Sequence, residues 1–126
     1  MQYAVSAPHL AYVIEDEVYL AEIFAKALTK AGFQTLEITD GQQAIEHLRE
    51  TQDMPRLVVL DVNLPLVSGK DILRFIRADA RFDKTRVILA TSESAGVLGE
   101  LEANSDIVLL KPVSYTLLRE LASRFH

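Results

Sequence analysis

Five side chains that could bind a cation or a phosphate each stand at the end of a short apolar run. Two adjacent carboxylates follow AYVI, one follows LVVL, a hydroxyl follows VILA and an ammonium follows IVLL: Glu15, Asp16, Asp61, Thr91 and Lys111. A carboxylate that leaves water without a partner costs several kcal/mol or more. Asp61 therefore requires a cation, hydrogen-bond donors or access to solvent nearby.

The apolar runs predict the strands of a parallel sheet. They are short and alternate with amphipathic stretches, which is typical of a sheet covered by helices on both faces. The predicted strands are 11–14, 35–38, 57–60, 87–90 and 107–110. The first predicted helix runs from Val18 to the residue before Gly32, and the second begins at Asp40. The other predicted helices are 69–79, 93–103 and 114–125.

Glycine and capping residues set the ends of several helices. Gly32 ends the first helix, and the Asp40 carboxylate caps the second. The fourth helix is the weakest, because Gly96 and Gly99 lower its helix propensity. The stretch 78–86 is predicted to be a solvated loop.

The chemical side chains meet if the sheet is doubly wound, with strand order 2-1-3-4-5. The carboxyl ends of its strands then share one edge, with a crevice between strands one and three. This α/β arrangement brings Glu15, Asp16 and Asp61 together. Three carboxylates repel one another unless a hard divalent cation lies among them, and Mg²⁺ suits such oxygen ligands.

Each of these residues also has an ordinary structural explanation. Acids at 15–17 favour the start of a helix, and Asp61 could open a turn before Pro65. Thr91 could cap the fourth helix, and Lys111 could lie on the surface with its stem packed. Their coincidence at one edge of the sheet favours a shared functional site.

Composition limits the classes of protein to consider. The 126 residues, 49% of them hydrophobic, suit one domain over 10–126 behind a loose tail at 1–9. A net charge of -5 disfavours nucleic acid or an anionic membrane as the main partner. The chain has no cysteine, and no run approaches the ~20 apolar residues of a membrane helix. We expect a cytoplasmic protein.

Four motifs, in this order and spacing, resemble the receiver domain of two-component response regulators from Ala11 onward. They are VIEDE, VVLDVNLPLVSG, ILATS and LLKP. The resemblance implies the flavodoxin-like, CheY-like fold. It also implies that Asp61 is the phosphorylated nucleophile, with Mg²⁺ held by Glu15, Asp16, Asp61 and the backbone carbonyl of Asn63. Thr91 and Lys111 would contact the phosphoryl group, and the Lys111–Pro112 bond would be cis.

A receiver of this kind would act as a switch rather than as a turnover enzyme. The phosphoryl group would come from a histidine kinase or a histidine phosphotransfer protein, and a downstream effector would read the change. Thr91 would turn toward the phosphate and pull the loop at 92–95. Asn63 and Glu93 could hold a hydrolytic water, which gives the hypothesis of fairly rapid self-dephosphorylation.

The fourth and fifth elements depart from the family pattern. Val108 replaces the usual aromatic residue, and Asn104-Ser105 stands where Gly-Ala is common. These changes disfavour dimerisation or docking through helix four, strand five and helix five, and they leave the oligomeric state open. The fifth helix still carries a predicted core stripe: Leu117, Leu118, Leu121 and Phe125.

Three other functions share part of this pattern. A haloacid dehalogenase-type phosphohydrolase requires an acid where Asn63 stands, and a flavin-binding flavodoxin would place its phosphate against the acids at 15–17. A receiver-shaped interaction module that acts independently of phosphorylation remains the main alternative.

Overall fold

The computed structural model describes residues 9–92 and 99–126. Its five strands form one parallel sheet in the order β2-β1-β3-β4-β5, so the predicted fold class and strand order are confirmed. Each strand begins and ends within one residue of its predicted bounds. The strands are β1 Leu10–Ile14, β2 Gln34–Ile38, β3 Leu57–Asp61, β4 Arg86–Thr91 and β5 Ile107–Leu110.

Five α-helices connect and follow the strands. They are α1 Val18–Lys30, α2 Gly41–Glu50, α3 Gly69–Ala78, α4 Gly99–Asn104 and α5 Tyr115–Ser123. The predicted start of the fourth helix, with Glu93 and Gly96, lies outside the described residues, as do residues 1–8 of the predicted tail. Among the residues described, every helix is too short or too polar to cross a bilayer.

Side-chain caps fix three of the helix starts. Asp40 Oδ1 accepts hydrogen bonds from the backbone N–H of Gln42 at 2.7 Å and of Gln43 at 3.1 Å, as predicted. Ser68 caps α3 and Ser114 caps α5 in the same way, each through its hydroxyl oxygen. These caps set where each helix leaves the edge of the sheet.

The core has two layers, one on each face of the sheet. Helices α1 and α5 pack on one face against alternate residues of β1 and β3, including Val13 and Val59. Helices α2, α3 and α4 pack on the other face, against residues that include Ile14 and Leu60. Strand β3 is buried along its whole length, so the side chain at its end, Asp61, is carried into the interior.

Two predictions about packing are wrong. Residues Ala80–Phe82 form a 3₁₀ turn with Phe82 fully buried, because Phe82 packs into the core and the turn is capped by Asp79. In α5, Leu118 is buried but Leu117 is 43% exposed, because one residue of helical rotation turns Leu117 away from the core.

The start of α3 lies directly against the end of β3. The Gly69 backbone N–H donates to the carbonyl oxygen of Val62 at 3.1 Å. A Cβ atom at Gly69 would collide with the carbonyl oxygen of Asp61 and would lie 2.6 Å from Val62 Cα. Only glycine allows this approach, which holds the loop after Asp61 in place.

We predict that Gly69→Ala lowers the free energy of unfolding by ~1–3 kcal/mol, because the added methyl group meets rigid backbone. Gly99→Ala is the matched control: nothing lies within 4 Å of its Cβ position, so its stability should stay within about 1 kcal/mol of wild type. Urea unfolding measures both. Equal stability of the two variants would contradict the proposed close approach.

Candidate functional site

The carboxyl ends of four strands place the predicted site residues at one edge of the sheet. Glu15 follows β1, Asp61 ends β3, Thr91 ends β4 and Lys111 follows β5. The strand register brings Asp61 beside Ala90, and the Lys111 backbone N–H donates to the Thr91 carbonyl oxygen at 2.8 Å. Residues that are up to 96 positions apart in sequence therefore contact one another.

Lys111 is the charged partner of the buried carboxylates. Its Nζ lies 3.0 Å from Glu15 Oε1 and 3.2 Å from Asp61 Oδ1. The Asn63 backbone N–H also donates to Asp61 Oδ1, at 2.9 Å. Asp61 is only 2% exposed, so an ammonium and a backbone donor replace the water that its carboxylate loses on burial.

Three carboxylates form a cluster that could hold one cation. Glu15, Asp16 and Asp61 each offer an oxygen, and these oxygens lie within 4.8 Å of one another. Glu15 and Asp61 are buried, whereas Asp16 is exposed and keeps the cluster open to solvent. An all-oxygen donor set with one open side fits Mg²⁺, which retains waters and binds through few carboxylates.

The protonation of Glu15 reflects its crowded position. Burial, together with the adjacent carboxylate of Asp61, raises the pKa of Glu15 to about 7, although Lys111 acts in the opposite direction. Burial also lowers the pKa of Lys111, but the hydrogen bonds and charges of Glu15 and Asp61 outweigh this effect and raise it above 10.5. Lys111 therefore stays charged near neutral pH, and one ammonium does not fully compensate the acids.

The Asn63 side chain connects Thr91 to the loop after Asp61. Thr91 is fully buried, and its hydroxyl donates to Asn63 Oδ1 at 3.4 Å. The Ser92 backbone N–H reaches the same oxygen at 3.5 Å. Sequence reasoning gave Asn63 a metal-ligand carbonyl and a water-holding role, but it did not anticipate this contact. Glu93, its predicted companion, lies outside the described residues.

The Lys111–Pro112 peptide bond is cis, as the sequence resemblance implied.

In metal-free protein, stability should decrease as the pH rises from about 4.5 to about 7. Folded protein then binds more protons than unfolded protein, because burial and the neighbouring Asp61 raise the pKa of Glu15 from 4.5 to about 7. Over the same range Mg²⁺ should bind more tightly as the Glu15 proton is lost. Urea unfolding in EDTA and Mg²⁺ titration at several pH values measure the two effects.

Glu15→Gln should flatten the pH dependence of stability, whereas Glu22→Gln, on the exposed face of α1, should not. A dependence that is identical in wild type and Glu15→Gln would show that another group titrates.

Comparisons with known proteins give a consistent family match. The family described as the response regulator receiver domain matches residues 11–123. The DNA-binding response regulator MtrA of Mycobacterium tuberculosis is 38% identical over 100 residues, which cover 79% of this chain and 42% of MtrA. The chain therefore spans about two fifths of that relative.

Solved structures of similar fold are also receiver domains. The signal receiver domain of a putative Luxo repressor protein from Vibrio parahaemolyticus has a TM-score of 0.82 and is 24% identical in sequence. The match covers 94% of this chain and 90% of that chain. The receiver domain of a sensor histidine kinase from Pseudomonas aeruginosa has a TM-score of 0.80 and is 22% identical in sequence. The match covers 94% of this chain and 98% of that chain. Its structure was solved with a magnesium ion coordinated in the active-site cleft.

Proposed function

The chain belongs to the response regulator receiver domain family of two-component signalling, and we propose that Asp61 is its phosphoacceptor. The observation that carries the proposal is the pairing of buried Asp61 with Lys111 beside a second buried acid. We assign residues 10–126 to the receiver and 1–9 to a tail. The donor is a histidine kinase or a histidine phosphotransfer protein in the cytoplasm.

An Asp61 carboxylate oxygen attacks the phosphorus atom in line as the bond to the donor imidazole breaks. The products are an acyl phosphate on Asp61 and the ring nitrogen of the donor, which keeps the electron pair of the broken bond and takes a proton from water to give neutral imidazole. A general base is unnecessary, because the ionised carboxylate is already a nucleophile. Asn63 N–H, at 2.9 Å from Asp61 Oδ1, holds the carboxylate orientation before attack.

Glu15, Asp16, Asp61 and the backbone carbonyl of Asn63 would hold Mg²⁺, which supplies positive charge to the phosphoryl oxygens when bound. The 4.8 Å cluster of carboxylate oxygens and the magnesium-bound receiver of similar fold support this assignment. Lys111 then pairs with a phosphoryl oxygen, since its Nζ already lies 3.2 Å from the attacking carboxylate.

The switch begins at Thr91. Its hydroxyl leaves Asn63 Oδ1 for the phosphoryl oxygens and draws Ser92 with it. The chain then reaches α4, which is tied to α3 through Glu100. Arg74 Nε lies 2.7 Å from Glu100 Oε1, and Lys70 Nζ lies 3.1 Å from Oε2. Movement of α4 therefore requires these ion pairs to rearrange.

The output is a conformational signal rather than turnover of an external substrate. The family match does not favour the alternative of an interaction module that is independent of phosphorylation. A downstream effector protein reads the switched surface, and we assign no nucleic-acid or membrane contact to this acidic domain.

Incubation with acetyl phosphate and Mg²⁺ should add the mass of one phosphoryl group to the wild-type protein. Asp61→Asn should remain unmodified, because an amide is a poor nucleophile, whereas the exposed control Asp53→Asn should react as wild type does. Intact mass spectrometry measures all three. An unmodified wild type, or a modified Asp61→Asn, would overturn the assignment of Asp61.

Thr91→Ala should accept the phosphoryl group at Asp61 but should not undergo the conformational change, because it lacks the hydroxyl that turns toward the phosphate. Thr91→Ser keeps a hydroxyl and should restore the change. Amide NMR spectra of α4 and β5, before and after phosphorylation, measure the response. A full response in phosphorylated Thr91→Ala would refute the role of this hydroxyl.

A further inference from the structure

A second concave region lies at the edge of the sheet opposite Asp61. Its walls come from the residues that lead into β3, β4 and β5 and from the end of α5, and its volume is about 750 Å³. The strands between the two edges run about five residues, or ~17 Å. The cavity is therefore separate from the proposed phosphorylation site.

Basic side chains dominate the lining of this cavity. Six of the chain's 13 Lys and Arg residues line it against two carboxylates, although the whole chain carries a net charge of -5. The cations are Arg56, Arg77, Arg81, Lys84, Arg86 and Arg124. Solvated basic faces are common on proteins, but here the six cations line a single cavity.

Three of the guanidinium groups are held in place. Arg77 donates to the carbonyl oxygens of Asn104 at 2.7 Å and Thr85 at 3.0 Å. Arg81 donates to the carbonyl oxygens of Leu48 and Thr51 and pairs with Asp79. Asp106 pairs with both Arg86 and Arg77: Arg86 Nη1 lies 3.1 Å from Oδ1, and Arg77 Nη2 lies 3.4 Å from Oδ2. These contacts fix the wall of the cavity, and the remaining cations stand on that fixed wall.

The other three cations have no carboxylate partner among the residues that the structure describes. Within 9–92 and 99–126, neither Arg56 nor Lys84 nor Arg124 forms an ion pair. All three are exposed at the cavity rim. Their positive charge is left for a ligand, and guanidinium groups match phosphate oxygens in pairs.

Rings and apolar groups form the rest of the wall. The Arg86 guanidinium lies over the Phe125 ring, 5.8 Å from its centroid. The His126 and Phe33 rings meet edge to face, with their centroids 5.4 Å apart. His126 Nε2 lies 3.1 Å from the Gly32 carbonyl oxygen. Met54 and Pro55 complete this side. Such a surface suits a planar heterocycle beside the cations.

We infer that this cavity binds a nucleotide that carries two or more phosphate groups. The volume lies within the ~300–1,000 Å³ of small-molecule sites. The phosphates would meet the unpaired cations, and the base would lie against Phe125 and the apolar wall. A long nucleic acid fits less well, because the acidic remainder of the chain would repel its backbone.

Titration calorimetry with ATP in low salt and EDTA tests the proposal, because EDTA prevents Mg²⁺–nucleotide binding at the acidic cluster. Wild type should bind one ATP saturably, and Asp61→Asn should bind it equally. Arg56→Gln/Lys84→Gln should weaken binding about tenfold or more. The charge-matched control Lys26→Gln/Lys30→Gln, on the exposed face of α1, should stay within about twofold.

Absence of saturable binding by wild type, or equal weakening in the two double variants, would overturn the proposal. Inorganic triphosphate that binds as tightly as ATP would refute a role for the base and therefore the nucleotide assignment. A DNA duplex that displaces ATP at lower concentration than free nucleotide does would assign the cavity to nucleic acid instead.

Discussion

The ion pairs of Lys111 with Glu15 and Asp61 are the interaction on which the rest of the site depends. A carboxylate at the end of a fully buried strand is costly without positive charge. Lys111 supplies that charge at 3.0 and 3.2 Å. One ammonium does not neutralise all the negative charge of the cluster, and the pKa of Glu15 therefore still rises to about 7. A divalent cation would offset the remaining negative charge.

The fold fixes the backbone around each charged group of the site. Gly69 lets α3 begin against the carbonyl of Asp61, and the Lys111 N–H bond to Thr91 ties the end of β5 to β4. The hydroxyl of Thr91 donates to the Asn63 side chain, two residues after Asp61. The ends of the β-strands thus fix the positions of Asp61, Thr91 and Lys111 relative to one another.

Much of the fold could be predicted from sequence, because strand periodicity and helix caps are local signals. The strands and the cap at Asp40 follow from such signals. The contact of Asn63 with Thr91 could not be predicted, since it depends on side-chain geometry across 28 positions. The burial of Phe82 could not be predicted for the same reason, because its packing partners lie in distant segments while its own segment has the composition of a solvated loop. The basic cavity is likewise formed by residues from distant segments of polar composition.

The central claim is that one cation and Lys111 together compensate the buried acids. A crystal structure of protein soaked with Mn²⁺, in which anomalous scattering locates the ion, tests it most directly. We predict one ion among Glu15, Asp16 and Asp61, with Lys111 still beside Asp61. A site that stays empty at saturating Mn²⁺, or an ion bound away from these carboxylates, would contradict it.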